Sequence, residues 1–263
     1  MTIAGIDLFG NLTGVGIALL AVVFFGSYFV KGAIGIGAMS PAILFGTMLV
    51  GPHHAILLGV ITNAASHLQF LPQGMRDGDW RVVRQVMFGN FAGSILGIWI
   101  FGQVGSAWLT FLLGLTLGGV LIADMTNALE RLSKRIDLRA SSFVVPMSAI
   151  SGVISGVTGA GGLFFIAIYV KHVCPTPQTY RGTVILLAML VVGWRAVVLV
   201  ATGFIDRTVV VEGASMLPAI VLGGLVGTWF YRKLTVRGFF LFFQLVLSFG
   251  AVSLLWRGLK DLL

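Results

Sequence analysis

The stretch "KGAIGIGAMSP" (31–41) interrupts an apolar run. "GVGIALLAVVFFGSYFV" (14–30) precedes it and "AILFGTMLV" (42–50) follows. Lys31, the three glycines Gly32, Gly35 and Gly37, and Pro41 are poor material for an ordinary helix in lipid. Irregular backbone at membrane depth is tolerated only where protein or a water-filled cavity surrounds it. The spacing recurs: "GVTGAGG" (156–162) sets Gly156, Gly159 and Gly161 against the glycines of "GAIGIGA" (32–38). Two weaker pairs keep the same order, "GMRDGDW" (74–80) with "GFIDRTV" (203–209) and "GSILG" (93–97) with "GGLVG" (223–227). The chain therefore reads as a tandem repeat of about 120 to 130 residues.

Composition sets the solvent. Hydrophobic residues make up 57% of the 263 residues and charged residues 10%. Soluble domains carry about 25% charge, so this is an integral membrane protein, with no polar stretch long enough for a separate soluble domain. The net charge of +8 is assigned to basic loops on one membrane face rather than to nucleic acid. The single cysteine, Cys174, rules out an intrachain disulfide. Asp7 is the only charge in residues 1–12, so the N-terminus lacks the basic start of a signal peptide and the first apolar segment is kept as a span.

Ten hydrophobic segments are expected, at roughly 12–30, 36–50, 53–71, 82–101, 107–126, 142–158, 160–174, 183–202, 209–230 and 238–256. The segments 36–50 and 160–174 are short, and each follows a glycine cluster. The expected fold is an all-α polytopic membrane protein. It has two repeats of about five segments each, with glycine-interrupted short or broken helices. The first repeat spans 1–130, a cytoplasmic linker 131–141, and the second repeat 142–263. An odd number of segments per repeat inverts the second half. If all ten segments cross, 13 basic residues, Lys31 among them, fall on one side and Arg207, Arg257 and Lys260 on the other, with Arg195 inside a span. The richer side is cytoplasmic by the positive-inside rule. A multi-pass protein of the inner (cytoplasmic) membrane follows, with both termini outward; the basic tail "RGLKDLL" (257–263) fits that poorly. Seven to ten full crossings are compatible with this reading.

Paired glycine-interrupted segments in inverted halves point to a transporter's binding site. A helix restarting after such a break presents free N–H groups and a positive dipole end, which suit an anion. Ser40, Ser155 and Thr158 are near enough to add hydroxyls, and Pro41 fits the first turn after the first break. Arg195, in "TVILLAMLVVGWRAVVLVATG" (183–203), sits near mid-span, where arginine costs at least about 2.5 kcal/mol. Its planar fork of donors matches an oxyanion. The corresponding first-half region is "TNAASHLQF" (62–70), where Asn63 and His67 share a face and His67 could relay a proton. Asp124, near a span end, is the other candidate for proton coupling. Asn90, Gln103 and Gln244 are candidates for interhelical hydrogen bonds. His53 and His54, in "GPHHA" (51–55), are expected to be exposed. No metal-ligand set, nucleophile–base pair or nucleotide loop occurs, so no metal, cofactor or enzymatic activity is expected.

With two such motifs, "GAIGIGAMSPAILFGTMLVGP" (32–52) and "ISGVISGVTGAGGLFFIAIYV" (150–170), the chain resembles the TauE/SafE family of sulfite-exporter-like membrane transporters over nearly its whole length. The resemblance implies transport of sulfite or of organosulfonates such as sulfoacetate. It also implies that Gly32, Gly35, Gly37, Gly156, Gly159 and Gly161 line the central site. Ala38 stands where the second half has Gly162, a departure between the two loops.

The function expected is secondary transport of small sulfur oxyanions or sulfonates, most readily export, by alternating access around a midplane anion site. An anion channel or a carrier of other small organic anions is the alternative. The partners are the anionic substrate and membrane lipid, with no nucleic acid; assembly as a homo-oligomer stays open.

Overall fold

The computed structural model describes residues 2–3, 6–7, 9, 12–34, 39–68, 71–126, 141–160, 162–174, 176–231 and 236–262. Gly35, Gly37, Gly161 and most of the linker 131–141 lie outside these residues, as does the side chain of Asp124.

The fold is all-helical apart from a two-residue antiparallel pair at the N-terminus, β1 (Thr2–Ile3) with β2 (Ile6–Asp7). Helices α1 (Gly14–Ile34), α2 (Met39–Val50), α3 (Pro52–His67), α4 (Leu71–Asp77), α5 (Trp80–Gln103) and α6 (Ser106–Met125) precede the linker. After it come α7 (Ser141–Thr158), α8 (Gly162–Val173), α9 (Pro177–Ala201), α10 (Arg207–Ser215), α11 (Leu217–Tyr231) and α12 (Val236–Leu262).

Local chemistry sets the boundaries. Gly51 takes φ +80° and Pro52 opens α3, where a missing N–H costs nothing. The Asp79 carboxylate caps α5 by accepting from Arg81 N at 2.9 Å and Val82 N at 3.4 Å. Thr176 caps α9 through Thr179 N at 3.1 Å, and Asp206 caps α10 through Val209 N at 2.9 Å. Each side chain satisfies a backbone donor that a helix start leaves free.

Among the described residues five stretches are long and apolar enough to cross a membrane: Gly14–Gly32, Trp80–Gln103, Ser106–Ala123, Gln178–Ala201 and Arg207–Trp229. Phe88 is 76% exposed and Phe249 78%, as expected where lipid replaces water around the bundle. The helices beside the glycine clusters, α2 and α8, have 12 residues each. That is about 18 Å of helix, too little for a hydrocarbon core of about 30 Å.

Glycine determines the tightest contacts. α5 packs on α7, α1 on α11, and α6 on α12. A Cβ at Gly93 would overlap the Ala149 carbonyl, one at Gly97 the Val153 carbonyl, and one at Gly227 the Phe29 carbonyl. Without a hydrophobic drive between helices in lipid, such backbone approach supplies the packing.

Four sequence expectations change. The segment 53–71 is α3, with α4 a further short helix after it, and 209–230, one candidate span, is interrupted at Met216 between α10 and α11. The helices before the glycine clusters continue past the expected break points, through Ile34 and Thr158. Gly32 and Gly156 are therefore helical and lie against Gly224 and Gly97. Lys31 is no loop residue; it occupies the last turn of α1 and is buried. Finally, His53 and His54 are half-buried with partners, because the first turn of α3 lies under Val104 and Glu212.

Candidate functional site

Two cations are buried in the bundle. Arg195, on α9, is 2% exposed. Its Nη2 donates to the Gly156 carbonyl at 3.1 Å. Its Nε and Nη1 are buried and find no hydrogen-bond partner among the described residues. An arginine inside a membrane protein that leaves two donor groups unused marks a site more readily than a structural strut.

The break after α7 makes room for it. Gly159 takes φ +78°, and a Cβ there would lie 2.9 Å from Arg195 Nη1 and 2.8 Å from Ile43 Cδ1. Only glycine meets both demands without strain. The Gly159 N–H still donates to Ser155 O at 2.9 Å. The Thr158 hydroxyl is in donor range of Ile154 O at 2.8 Å and Ala160 O at 2.7 Å, and Ser155 donates to Gly152 O at 3.1 Å. Both hydroxyl protons thus serve the local backbone. Two further buried polar groups lie on the helices around this site. Trp194 Nε1 and both amide atoms of Asn90 have no partner among the described residues. Asn90 therefore does not make the interhelical hydrogen bond expected of it, because its neighbour on α7 is Gly152, which has no side chain to offer. Gly152, which the Asn90 backbone contacts, and Gly156, which holds Arg195, are one turn apart on α7. Phe91 stacks on Trp194 with ring centroids 4.6 Å apart.

Lys31 is the second cation, 6% exposed. Its Nζ donates to Asn63 Oδ1 at 2.9 Å and Ser66 Oγ at 2.6 Å and lies 5.6 Å from the Tyr28 ring centroid. No carboxylate pairs with either cation among the described residues. An apolar strip joins the two sites. Met39 Sδ lies 3.5 Å from Asn63 Nδ2, while Ile43, one turn along α2, packs against Gly59 and Gly159. Ile56, beside Gly159, precedes Asn63 by two turns of α3, about 10 Å of helix axis.

The structure thus brings Gly156 and Gly159 to Arg195, and Asn63 to Lys31. Ser40 is half-buried at the start of α2, His67 is buried at the end of α3, and Gly32 packs against α11. Lys31 and Ser66 were missed as site residues. The available signal was isolation: Lys31 is the only Lys, Arg, Asp or Glu between Asp7 and Arg76. A lone charge in so long an apolar stretch deserves burial as its first reading.

The sequence profile described as "Sulfite exporter TauE/SafE" matches residues 8–254. The chain belongs to the TauE/SafE sulfite exporter family. No curated protein and no solved structure matches it. Membership makes this a multi-pass membrane transporter rather than an enzyme, in a family that implies sulfur anions as cargo. The chemistry of the interior agrees. Guanidinium and ammonium groups that have no acidic partner among the described residues and are set among neutral polar groups attract an anion and repel a cation.

Proposed function

We propose that the chain is a secondary transporter of small sulfur oxyanions or sulfonates such as sulfite, working as an exporter, with Arg195 as the principal substrate-binding group. The observation that carries this reading is the unpartnered pair of Arg195 donors, Nε and Nη1, buried beside a glycine with positive φ. The oxyanion accepts from that fork. Trp194 Nε1 and Asn90 Nδ2, buried without a partner among the described residues, are the further donors assigned to it. Lys31, held by Asn63 and Ser66, supplies a second positive charge on the path.

Alternating access follows from inverted repeats, 1–130 and 142–263, rocking about this site. The helix pairing supports that arrangement. α1 is the first helix of its half and packs on α11, the fifth of the other; α5, the fifth, packs on α7, the first. This exchange is what a two-fold relation between halves requires. With Lys31 moved to the interior, the sequence count becomes 12 basic residues on one side against 3 on the other, which supports a cytoplasmic basic face in the inner membrane.

The test is thermal stabilisation of the purified protein by a panel of sulfite, thiosulfate, sulfoacetate, acetate and chloride. A ligand that binds only the native state raises stability with its concentration. Sulfur oxyanions are expected to stabilise the wild type and not Arg195→Ala. Equal stabilisation of both proteins removes Arg195 from the site; stabilisation by acetate alone assigns the protein to another anion class.

A further inference from the structure

One face of α3 orders the interior. Ile56, Gly59, Asn63 and Ser66 follow one another at steps of three or four residues and so share that face. At its start, a Cβ on Gly159 would lie 3.3 Å from Ile56 Cγ2, 2.9 Å from Arg195 Nη1 and 2.8 Å from Ile43 Cδ1. One turn on, a Cβ on Gly59 would lie 3.2 Å from Ile43 Cγ1 and 3.8 Å from Met39 Cε. Asn63 and Ser66 then hold Lys31 Nζ. Two α2 side chains one turn apart, Ile43 and Met39, thus stand between the two buried cations. Ile43 is 0% exposed.

We propose that the two cations mark two anion stations in series, and that Ile43 with Met39 is the apolar gate between them. Arg195 carries the stronger station, with two nitrogens that have no partner among the described residues. The second is at Lys31. Of the three N–H bonds of its ammonium, two reach Asn63 and Ser66, and no third acceptor occurs among the described residues. Asn63 Nδ2 meets the Met39 thioether at 3.5 Å, a weak acceptor.

Closed aliphatic side chains offer an anion nothing in place of its hydration, which is how apolar constrictions gate ions. Ile43 and Met39 ride on the same short helix, so a shift of α2 moves both. The shift that clears the passage also takes the thioether from Asn63 Nδ2 and leaves that donor to the arriving anion. Lys31, already held by two neutral acceptors, keeps the anion in transit, so ligand-induced stabilisation still reports Arg195. This inference rests on the transporter reading but not on the identity of its anion.

Cysteine labelling in proteoliposomes tests the gate without measuring transport. Cys174→Ser removes the native thiol, and Ile43→Cys, Met39→Cys or Leu44→Cys is added to that background. Leu44 is the control, since it is as buried as Ile43 but faces Gly250 on α12. The probes are the anion sulfonatoethyl methanethiosulfonate and its trimethylammonium counterpart, each rate divided by that with a free thiol. At Ile43→Cys the anionic probe is expected to react at least about tenfold faster than the cationic one, because both flanking cations concentrate anions there, and faster than at Leu44→Cys. Met39→Cys is expected to show the same order and serves where Ile43→Cys does not fold. Equal labelling at positions 43 and 44, or preference for the cationic probe, overturns the gate. Sulfite counterflow by Ile43→Ala is expected to exceed that of the wild type, with sulfite-induced stabilisation retained. A folded Ile43→Ala protein that is no faster overturns the gate as well. Failure of every sulfur oxyanion to stabilise the wild type or to exchange tells against the sulfur-anion reading and leaves the labelling result standing.

Discussion

Among the described residues Arg195 is tethered by one nitrogen, Nη2 to the carbonyl of Gly156 at 3.1 Å, while its other two nitrogens have no partner. A single tether orients the guanidinium without consuming its capacity to hold two oxygens of an oxyanion. Substituting Arg195 with alanine is expected to reduce sulfite counterflow at least about tenfold, equivalent to about 1.4 kcal/mol. Lysine restores charge but not the fork, so Arg195→Lys is expected to fall between the two.

Gly159 is expected to tolerate nothing larger. Alanine there meets the strain of positive φ, of order 1–2 kcal/mol, and a Cβ 2.9 Å from Arg195 Nη1. Both transport and melting temperature should drop. Gly119 on α6 is the control, since a Cβ there meets nothing within 4 Å; Gly119→Ala should be neutral or stabilising by up to about 1 kcal/mol.

Lys31→Met separates stability from function. Methionine removes the desolvation cost of a buried ammonium, which offsets the about 1–3 kcal/mol lost when Asn63 Oδ1 is left without its donor. Melting temperature is therefore expected to hold or rise while counterflow is lost. A stable and fully active Lys31→Met protein removes Lys31 from the path.

The α5–α7 contact is expected to be the most sensitive to size. Gly93→Leu forces the helices apart at Ala149, and its melting temperature should fall further than that of Leu96→Ala, whose side chain is 50% exposed on the same helix. Thermal unfolding in detergent measures both.

What the sequence disclosed follows from physics that one chain carries by itself. The apolar runs, the repeated G-x-x-G-x-G spacing and the charge of Arg195 are local, and they led to the helices, to Gly159 and to the buried arginine. What stayed hidden depends on distant neighbours. Lys31 reads as a loop residue until α3 is seen to supply Asn63 and Ser66. The spacing around Gly32 and Gly156 reads as a broken helix, yet both glycines turn out to be helix-packing residues, because their partners Gly224 and Gly97 lie far away in sequence. Glu212 has no local feature that pairs it with His54, 158 positions earlier (212 − 54).

Among the described residues no carboxylate pairs with Lys31 or Arg195, and under the proposed carrier reading this bears on energetics. An empty carrier with two uncompensated positive charges feels the voltage across the bilayer, at about 2.3 kcal/mol per charge per 100 mV for a full traverse. A bound dianion cancels that charge, so the loaded form crosses with little electrical work. Voltage then acts mainly on the return of the vacant form, and an interior-negative cell would favour presenting the empty cradle to its cytoplasm, ready for the next anion.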